Sequence, residues 1–334
     1  MAFSTGKILR SYLQKKIKKY TIGSIFSLFV LAVTVNLFSC YGTYNYQHVS
    51  GEAIHSVLYK EVISAILNKD RANCTYDDVL QSTHTIHTWD ARKTYVDFDA
   101  KGIEKGTFTP EHCNPLFSVA ILVTYRNRQK QLDIFLPYMH NFLRRQNIHY
   151  KIYLIEQQDL KPFNKGLLYN LGARAAIADG FPCLILHDVD LLPLDASNLY
   201  ACTTQPRHLS ASIDKFRFVL IYDWLVGGVL AVRSEQYERL NGFSNKFWGW
   251  GAEDDDLNNR MEAQDMKVIR FPPSMSRYAM LRHAQSEMNP ARFAQLAANR
   301  AQPSAARAQD GLRDARASVR RTDQRLFTLL VVTL

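Results

Sequence analysis

Between Thr21 and Gly42 the chain runs through 22 positions without a charge, TIGSIFSLFVLAVTVNLFSCYG. That length spans a hydrocarbon core of ~30 Å as a helix. The run is apolar all round, unlike a buried core helix with one polar face. Tyr20 and Tyr41 sit at its ends, where amphipathic rings favour the membrane interface. A cleaved leader would have a shorter apolar stretch of about 7–15 residues and a small-residue cleavage site. Here the run is longer and no A-x-A follows, so a signal anchor is expected. Residues 43 to about 112 are polar with no long periodic segment and read as a stem. At Leu116 the pattern changes. LFSVAILVTY is the continuous β-branched run of a strand buried on both faces. Leu132, Phe135, Leu136, Met139, Phe142 and Leu143 then recur at helical spacing, around a Pro137 that can bend the helix. KIYLIEQ (151–157) predicts a second strand, NKGLLYNLGARAAIADG a helix closed by Gly180, and CLILHDVDLLP (183–193) a third strand. Alternating strands and helices predict an α/β domain with a largely parallel sheet, whose ligands bind at the strands' carboxyl ends. Thr124–Arg128 and Asp188–Asp190 fall there. The Ala/Arg-rich stretch 292–321 reads as a helix or loose surface segment, and LFTLLVVTL at the end as an edge strand.

The formal charge of +10 raises the possibility of nucleic acid, until it is located. Lys7, Arg10, Lys15, Lys16, Lys18 and Lys19 precede the apolar run, and no acid occurs before Glu52. The basic flank therefore keeps residues 1–20 in the cytosol, with the anchor at 21–42, the stem and start of a lumenal region at 43–107 and the folded domain at 108–334. A duplex-binding protein would hold its charge in the folded domain, so a nucleic-acid partner is not expected. An oxidising lumen favours disulfides. Cys40 lies at the membrane edge, which leaves Cys74, Cys113, Cys183 and Cys202 with three possible pairings. No C-x-x-C occurs, which argues against a zinc ribbon. Asn73-Cys74-Thr75 is a glycosylation sequon, weakened if Cys74 is bridged.

Three clusters carry candidate chemistry. In an extended strand Asp188 and Asp190 would face the same way and suit a hard divalent cation that bridges to a diphosphate. FWGWGAEDDD (247–256) sets Trp248 and Trp250 among glycines ahead of four acids. Aromatic faces stack on sugar rings, carboxylates hold hydroxyls, and glycines let such a segment move. Acids also suit a first helical turn, but capping does not account for two tryptophans beside them. Met280 and His283, three apart, can converge on one ligand, although a thioether prefers softer metals than carboxylates do.

Taken together, FSVAILVTYRNR, FNKGLLYNLG, HDVDLLP, QPRHLS, DKF, GGVLAV, NGF, WGWGAEDDD and MLRH resemble, in order and spacing, the animal β-1,4-galactosyltransferase family (β-1,4-galactosyl- and N-acetylgalactosaminyltransferases). The resemblance covers about residues 108–295, and weakly Asp310-Gly311-Leu312 and the final run. It implies a GT-A nucleotide-sugar-binding fold with a mixed, largely parallel sheet, 108–334 as the catalytic domain, and a Golgi type II membrane enzyme using Mn²⁺. It implies Asp190, Met280 and His283 as metal ligands, and Asp188 beside the donor sugar. Arg126, Arg128, Phe163, Lys165, Val189, Lys215 and Gly228 would hold the donor nucleotide-sugar. Glu253 and Asp254 would face the transferred sugar, with Asp254 as the catalytic base. Phe216, Tyr222, Trp250 and Asp255 would shape the acceptor site, and Cys74–Cys113 and Cys183–Cys202 would be the bridges.

The implied reaction inverts an α-linked UDP-sugar onto the 4-hydroxyl of a terminal GlcNAc. Several positions depart from the family pattern. Thr124 replaces a proline, and Lys165 an arginine, which keeps the charge but loses the bidentate fork. Ala252 replaces a glycine and is strained if that position needs positive φ. Trp224 and Leu225 replace a Gln-Tyr pair. Leucine at 225 leaves room for a C2 acetamido group, so UDP-GalNAc is expected as donor, with UDP-Gal also accepted. The alternatives are a membrane-tethered sugar-binding protein without catalysis and a metal-dependent UDP-sugar phosphohydrolase.

Overall fold

The computed structural model describes residues 3–38, 42–93, 98–284, 288–302 and 309–334. It divides into two units, residues 1–43 and 44–334. The first contains the helix α1 (Phe3–Phe38), which carries the basic flank and the apolar run as far as Phe38. By length and composition its Lys15–Thr34 stretch is able to cross a membrane. Cys40 and Tyr41 lie outside the described residues.

The second unit starts well before the expected boundary at 108. Residues 44–107, read as a stem, contain the helical turns α2 (Ile54–Val57), α3 (Asp77–Leu80) and α4 (Thr88–Ala91) and the short strand β1 (Thr107–Phe108). Ile54, Leu58, Tyr76 and Ala91 are buried in the same core as the central strands. Backbone N–H groups of Val49 and Tyr59 donate to Arg270 and Cys202 carbonyls. The polar composition concealed this because the apolar contacts are single residues without a period.

The central strands follow the sequence reading. β2 (Ser118–Tyr125), α5 (Gln129–Arg144), β3 (His149–Gln157), α6 (Lys165–Ala178) and β4 (Cys183–Asp188) alternate as expected. α5 runs through Pro137. The strands are buried along almost their whole length, and their side chains alternate between the two faces. Val119, Ile121, Val123, Ile152 and Ile185 face α5, whereas Ala120, Leu122, Ile155 and Leu184 face α6, as strand geometry requires of a sheet covered on both sides.

The acids after β4 correct one expectation. HDVDLLP is not one strand: β4 ends at Asp188, Val189 and Asp190 turn, and β5 (Leu191–Pro193) joins a second sheet. β6 (Arg207–His208) returns to the large sheet, and β7 (Ser212–Ile213) belongs to the small one. β8 (Val229–Arg233) leads into α7 (Ser234–Leu240), then α8 (Glu253–Glu262), β9 (Arg277–Met280), α9 (Arg292–Ala301), β10 (Ser318–Asp323) and β11 (Thr328–Thr333).

The large sheet has the order β10-β11-β3-β2-β4-β8-β6, with β1 also on β3, and the small one β5-β9-β7. The four middle strands β11, β3, β2 and β4 are mutually parallel; β10, β8, β6 and β1 are antiparallel to their neighbours. The final apolar run is therefore not an edge. β11 lies between β3 and β10, and the exposed, arginine-bearing β10 takes the edge, where charge discourages further pairing. Disulfides join Cys74 to Cys113 and Cys183 to Cys202, the second fastening the start of β4. Asn73 is exposed beside the first bridge, which includes the sequon's own Cys74.

Candidate active site

The carboxyl ends of β2 and β4 are adjacent, with Thr124 opposite Asp188 in register. Asp188 takes Lys165 Nζ at 2.7 Å from the first turn of α6 and Tyr169 Oη at 3.3 Å from the second. Lys165 also lies 3.8 Å from Glu253 at the start of α8. Burial works against the Lys165 charge, but Asp188 and the other anionic neighbours outweigh it and hold the amine well above its ordinary range. Glu253 is pushed up to about 7, first by burial and then by Asp254. Asp188 is likewise raised, chiefly by burial.

Asp254 abuts Gly227, where a Cβ would overlap its carboxylate, so glycine is required for this approach. Lys165, Tyr169, Gly227, Gly228, Glu253 and Asp254 thus line one small pocket. Just before Val226 and Gly227, Arg270 fastens the chain by donating from Nη2 to the carbonyls of Asp223 and Leu225 at 2.7 and 2.9 Å. Leu225 itself packs against Tyr46, Ala211 and Leu220.

Asp190 faces a different partner. Its Oδ2 lies 2.7 Å from His283 Nε2, and Arg128 Nη2 approaches His283 Nδ1 at 3.3 Å. The Asp190 contact raises the imidazole above its ordinary value. Asp188 and Asp190 do not act as a matched pair on one strand face, because the Val189–Asp190 turn separates them and Lys165 and His283 divide them. Val189 is buried in the core. Met280 closes β9 three residues before His283, and the Leu281 N–H donates to the Asp190 carbonyl at 2.7 Å. A carboxylate oxygen, an imidazole nitrogen and a nearby thioether suit a borderline divalent ion. Among the described residues no three His, Cys, Asp or Glu side chains form a cage, so such an ion would complete its shell with oxygens from water or a ligand.

Other expected positions surround this centre. Arg126 stacks on Phe163, 5.2 Å to the ring centroid, and Gly249 N–H donates to the Phe163 carbonyl at 2.8 Å, tying the tryptophan loop to that segment. Trp250 is half exposed, and its carbonyl accepts from Asn289 N–H. Lys215 and Phe216 share a single turn after β7. The Tyr222 and Trp224 rings lie 4.9 Å apart beside Asp255, which burial and Asp254 push up to about 6 against their opposing influence.

Ala252 has φ 71°, the left-handed conformation in which an alanine is strained. Gly249 and Gly251 are also left-handed, at 78° and 112°. Sequence reasoning missed Tyr169, Gly227, Arg270 and Asp214. The FNKGLLYNLG, DKF and GGVLAV matches contained three of them without marking their roles; Arg270 acts through folding contacts and left no motif.

Residues 76–203 match a family model described as the N-terminal region of glycosyl transferase group 7. Residues 207–284 match one described as the N-terminal domain of galactosyltransferase. The chain is 41% identical over 196 residues to beta-1,4-galactosyltransferase 2 of Cricetulus griseus, across 57% of this chain and 53% of that protein. It thus spans about half the length of the curated relatives it matches. The catalytic domain of Drosophila beta-1,4-galactosyltransferase 7, solved with xylobiose, superposes with a TM-score of 0.55 and 30% identity over 65% of this chain and 94% of that one. A mutant of the Drosophila enzyme in complex with manganese, UDP-Gal and xylobiose gives 0.53 and 29% over the same shares.

Proposed function

Because the chain belongs to the β-1,4-galactosyltransferase family, we propose that it is an inverting, Mn²⁺-dependent glycosyltransferase of the Golgi membrane. It moves GalNAc or Gal from a UDP-sugar to the 4-hydroxyl of a terminal GlcNAc on a glycan. The observation that carries this reading is the Lys165–Asp188–Glu253 cluster with Asp254 against Gly227, beside the Asp190–His283 pair. Placement as a type II protein is supported by the basic flank, the Lys15–Thr34 helix and two disulfides in the larger unit.

Asp190, Met280 and His283 would hold Mn²⁺, which when bound offsets charge on the leaving diphosphate. Arg126, Arg128, Phe163, Val189, Lys215 and Gly228 bind the nucleotide. Lys165 fixes Asp188 toward the donor sugar. Glu253, raised to about 7, can carry a proton at neutral pH and donate it to a sugar hydroxyl. Its neighbour Asp254 is then the proton acceptor, a division of labour that environment imposes on paired carboxylates. The acceptor rests among Phe216, Tyr222, Trp250 and Asp255. Its O4 attacks the anomeric carbon from the face opposite the diphosphate, the C1–O bond breaks with its electron pair going to UDP, and the O4 proton passes to Asp254.

The test is incubation of the purified protein with Mn²⁺, a panel of UDP-sugars and a GlcNAc-terminated acceptor. A new β-1,4 linkage from UDP-GalNAc, and from UDP-Gal, is expected. UDP-sugar consumption without acceptor would mark a phosphohydrolase, and binding without turnover a sugar-binding protein. Leu225→Tyr restores a ring and a hydroxyl, and should shift the donor ratio toward galactose. A wild type restricted to galactose, with an unchanged ratio in the variant, removes Leu225 as selector.

A further inference from the structure

Residues 84–92, part of the segment the sequence presents as a stem, are clipped to both ends of β9. At its first residue, Arg277 donates to both Asp195 oxygens at 2.6 and 3.2 Å. Thr85 joins that pair, donating to Asp195 Oδ1 at 3.2 Å and accepting from Arg277 Nη2 at 2.9 Å. Backbone bonds from Ile86 N–H to the Leu194 carbonyl and from Ala196 N–H to the His84 carbonyl fix the strap alongside. At the last residue of β9, Arg92 Nη2 pairs with the Asp214 carboxylate and also donates to the Met280 carbonyl at 3.3 Å. The other Asp214 oxygen accepts the Met280 N–H at 2.9 Å. Arg92, Asp214 and the Met280 backbone therefore close a ring.

We propose that Arg92 is a positioning residue for the metal-bearing arm. This rests on the reading of Asp190, Met280 and His283 as metal ligands. Both polar backbone groups of Met280 are held by the Arg92–Asp214 ring, and the next N–H, that of Leu281, is held by the Asp190 carbonyl. The turn that delivers His283 thus starts from a residue whose orientation Arg92 helps to fix. Asp214 also opens the turn carrying Lys215 and Phe216, so one guanidinium braces two walls of the site. Both bonds leave one nitrogen, Nη2, whose N–H directions the rigid guanidinium plane fixes; a lysine ammonium has donors enough but no such plane to orient them. The pair is mostly shielded, with side chains 33% and 13% exposed, so water screens it less than a surface pair.

The test is Mn²⁺ binding without nucleotide, read from the electron paramagnetic resonance signal of the free ion. It uses the full chain in detergent as wild type, Arg92→Ala, Arg92→Lys and His283→Ala, with a metal-free thermal melt of each. Arg92→Ala should weaken Mn²⁺ binding by roughly 10–100-fold, the usual cost of losing a partner that orients a ligand. Arg92→Lys should fall between it and the wild type. If the alanine variant does not fold, Arg92→Gln keeps an amide donor without the charge and should shift the affinity the same way. A lowered melting temperature with wild-type Mn²⁺ affinity in the folded Arg92 variants, while His283→Ala binds weakly, would make the ring merely structural and overturn this inference alone. Equal Mn²⁺ affinity in wild type and His283→Ala would overturn the metal reading, and this inference with it.

Discussion

Ala252 is the residue at which sequence and backbone disagree most openly. A left-handed alanine costs about 1 kcal/mol, and glycine removes that cost while adding freedom to the unfolded chain. Ala252→Gly should raise stability by up to about 1 kcal/mol in thermal melts; an unchanged or lower midpoint would show that the surroundings already absorb the strain. Asp254 is the sharper functional test. Asp254→Asn keeps the shape beside Gly227 but cannot take a proton, so turnover should drop by ~10²–10⁴ while UDP-sugar binding survives. Near-normal turnover would assign the proton to another group. Ala252 shows what was legible at this scale: the substitution stood in the sequence, but its φ did not. Tyr169 was invisible as a partner of Asp188, since a buried tyrosine in a helix reads as core.

At the level of elements, α8 divides its opening acids by helical position. Glu253 and Asp254 line the pocket and Asp255 lies beside Tyr222 and Trp224, whereas Asp256 turns inward to Arg260 at 2.8 Å, and Arg260 also pairs with Asp310 at 3.2 Å. A string of four acids gives no hint of that split, because the neighbours that decide it come from Asp310 and Asn299, far along the chain. The strands were easier to read, their β-branched runs and period being local. The DVD turn was not, because apolar residues on both sides hid the change of sheet. Edge strand β10 offers a pH test through Asp179, which caps α6 and bonds Arg321 at 2.7 Å. Burial would raise its pKa, but Arg321, Tyr153 and Lys151 together lower it from 3.8 to about 2. A depressed carboxylate adds stability above its unfolded value and loses it as pH falls toward the folded one. Stability should therefore decline between about pH 4 and 2, and Arg321→Gln should flatten that slope in denaturant titrations. Parallel slopes in the two proteins would count against the link.

For the whole molecule, residues 44–107 belong to the folded unit. A protein trimmed to 108–334 loses the Cys74–Cys113 bridge, the buried Ile54, Leu58 and Tyr76, and the strap on β9. It should be recovered aggregated or melt far below a protein starting at Tyr44; equal melting temperatures would return 44–107 to the role of a spacer. Composition hid this membership, since scattered contacts have no pattern until the sheet they cover exists. The sheet order also sets a timetable. Ribosomes deliver the chain from its N-terminus, so β2, β3 and β4 can be aligned early in translocation. The strand that flanks β3 on its other side is β11, which comes after every residue of the site. β1 covers that edge at Tyr150 and Lys151, but until β11 arrives Tyr153–Gln157 keep an unpaired backbone edge. That interval lengthens with every pause in synthesis between residues 157 and 328.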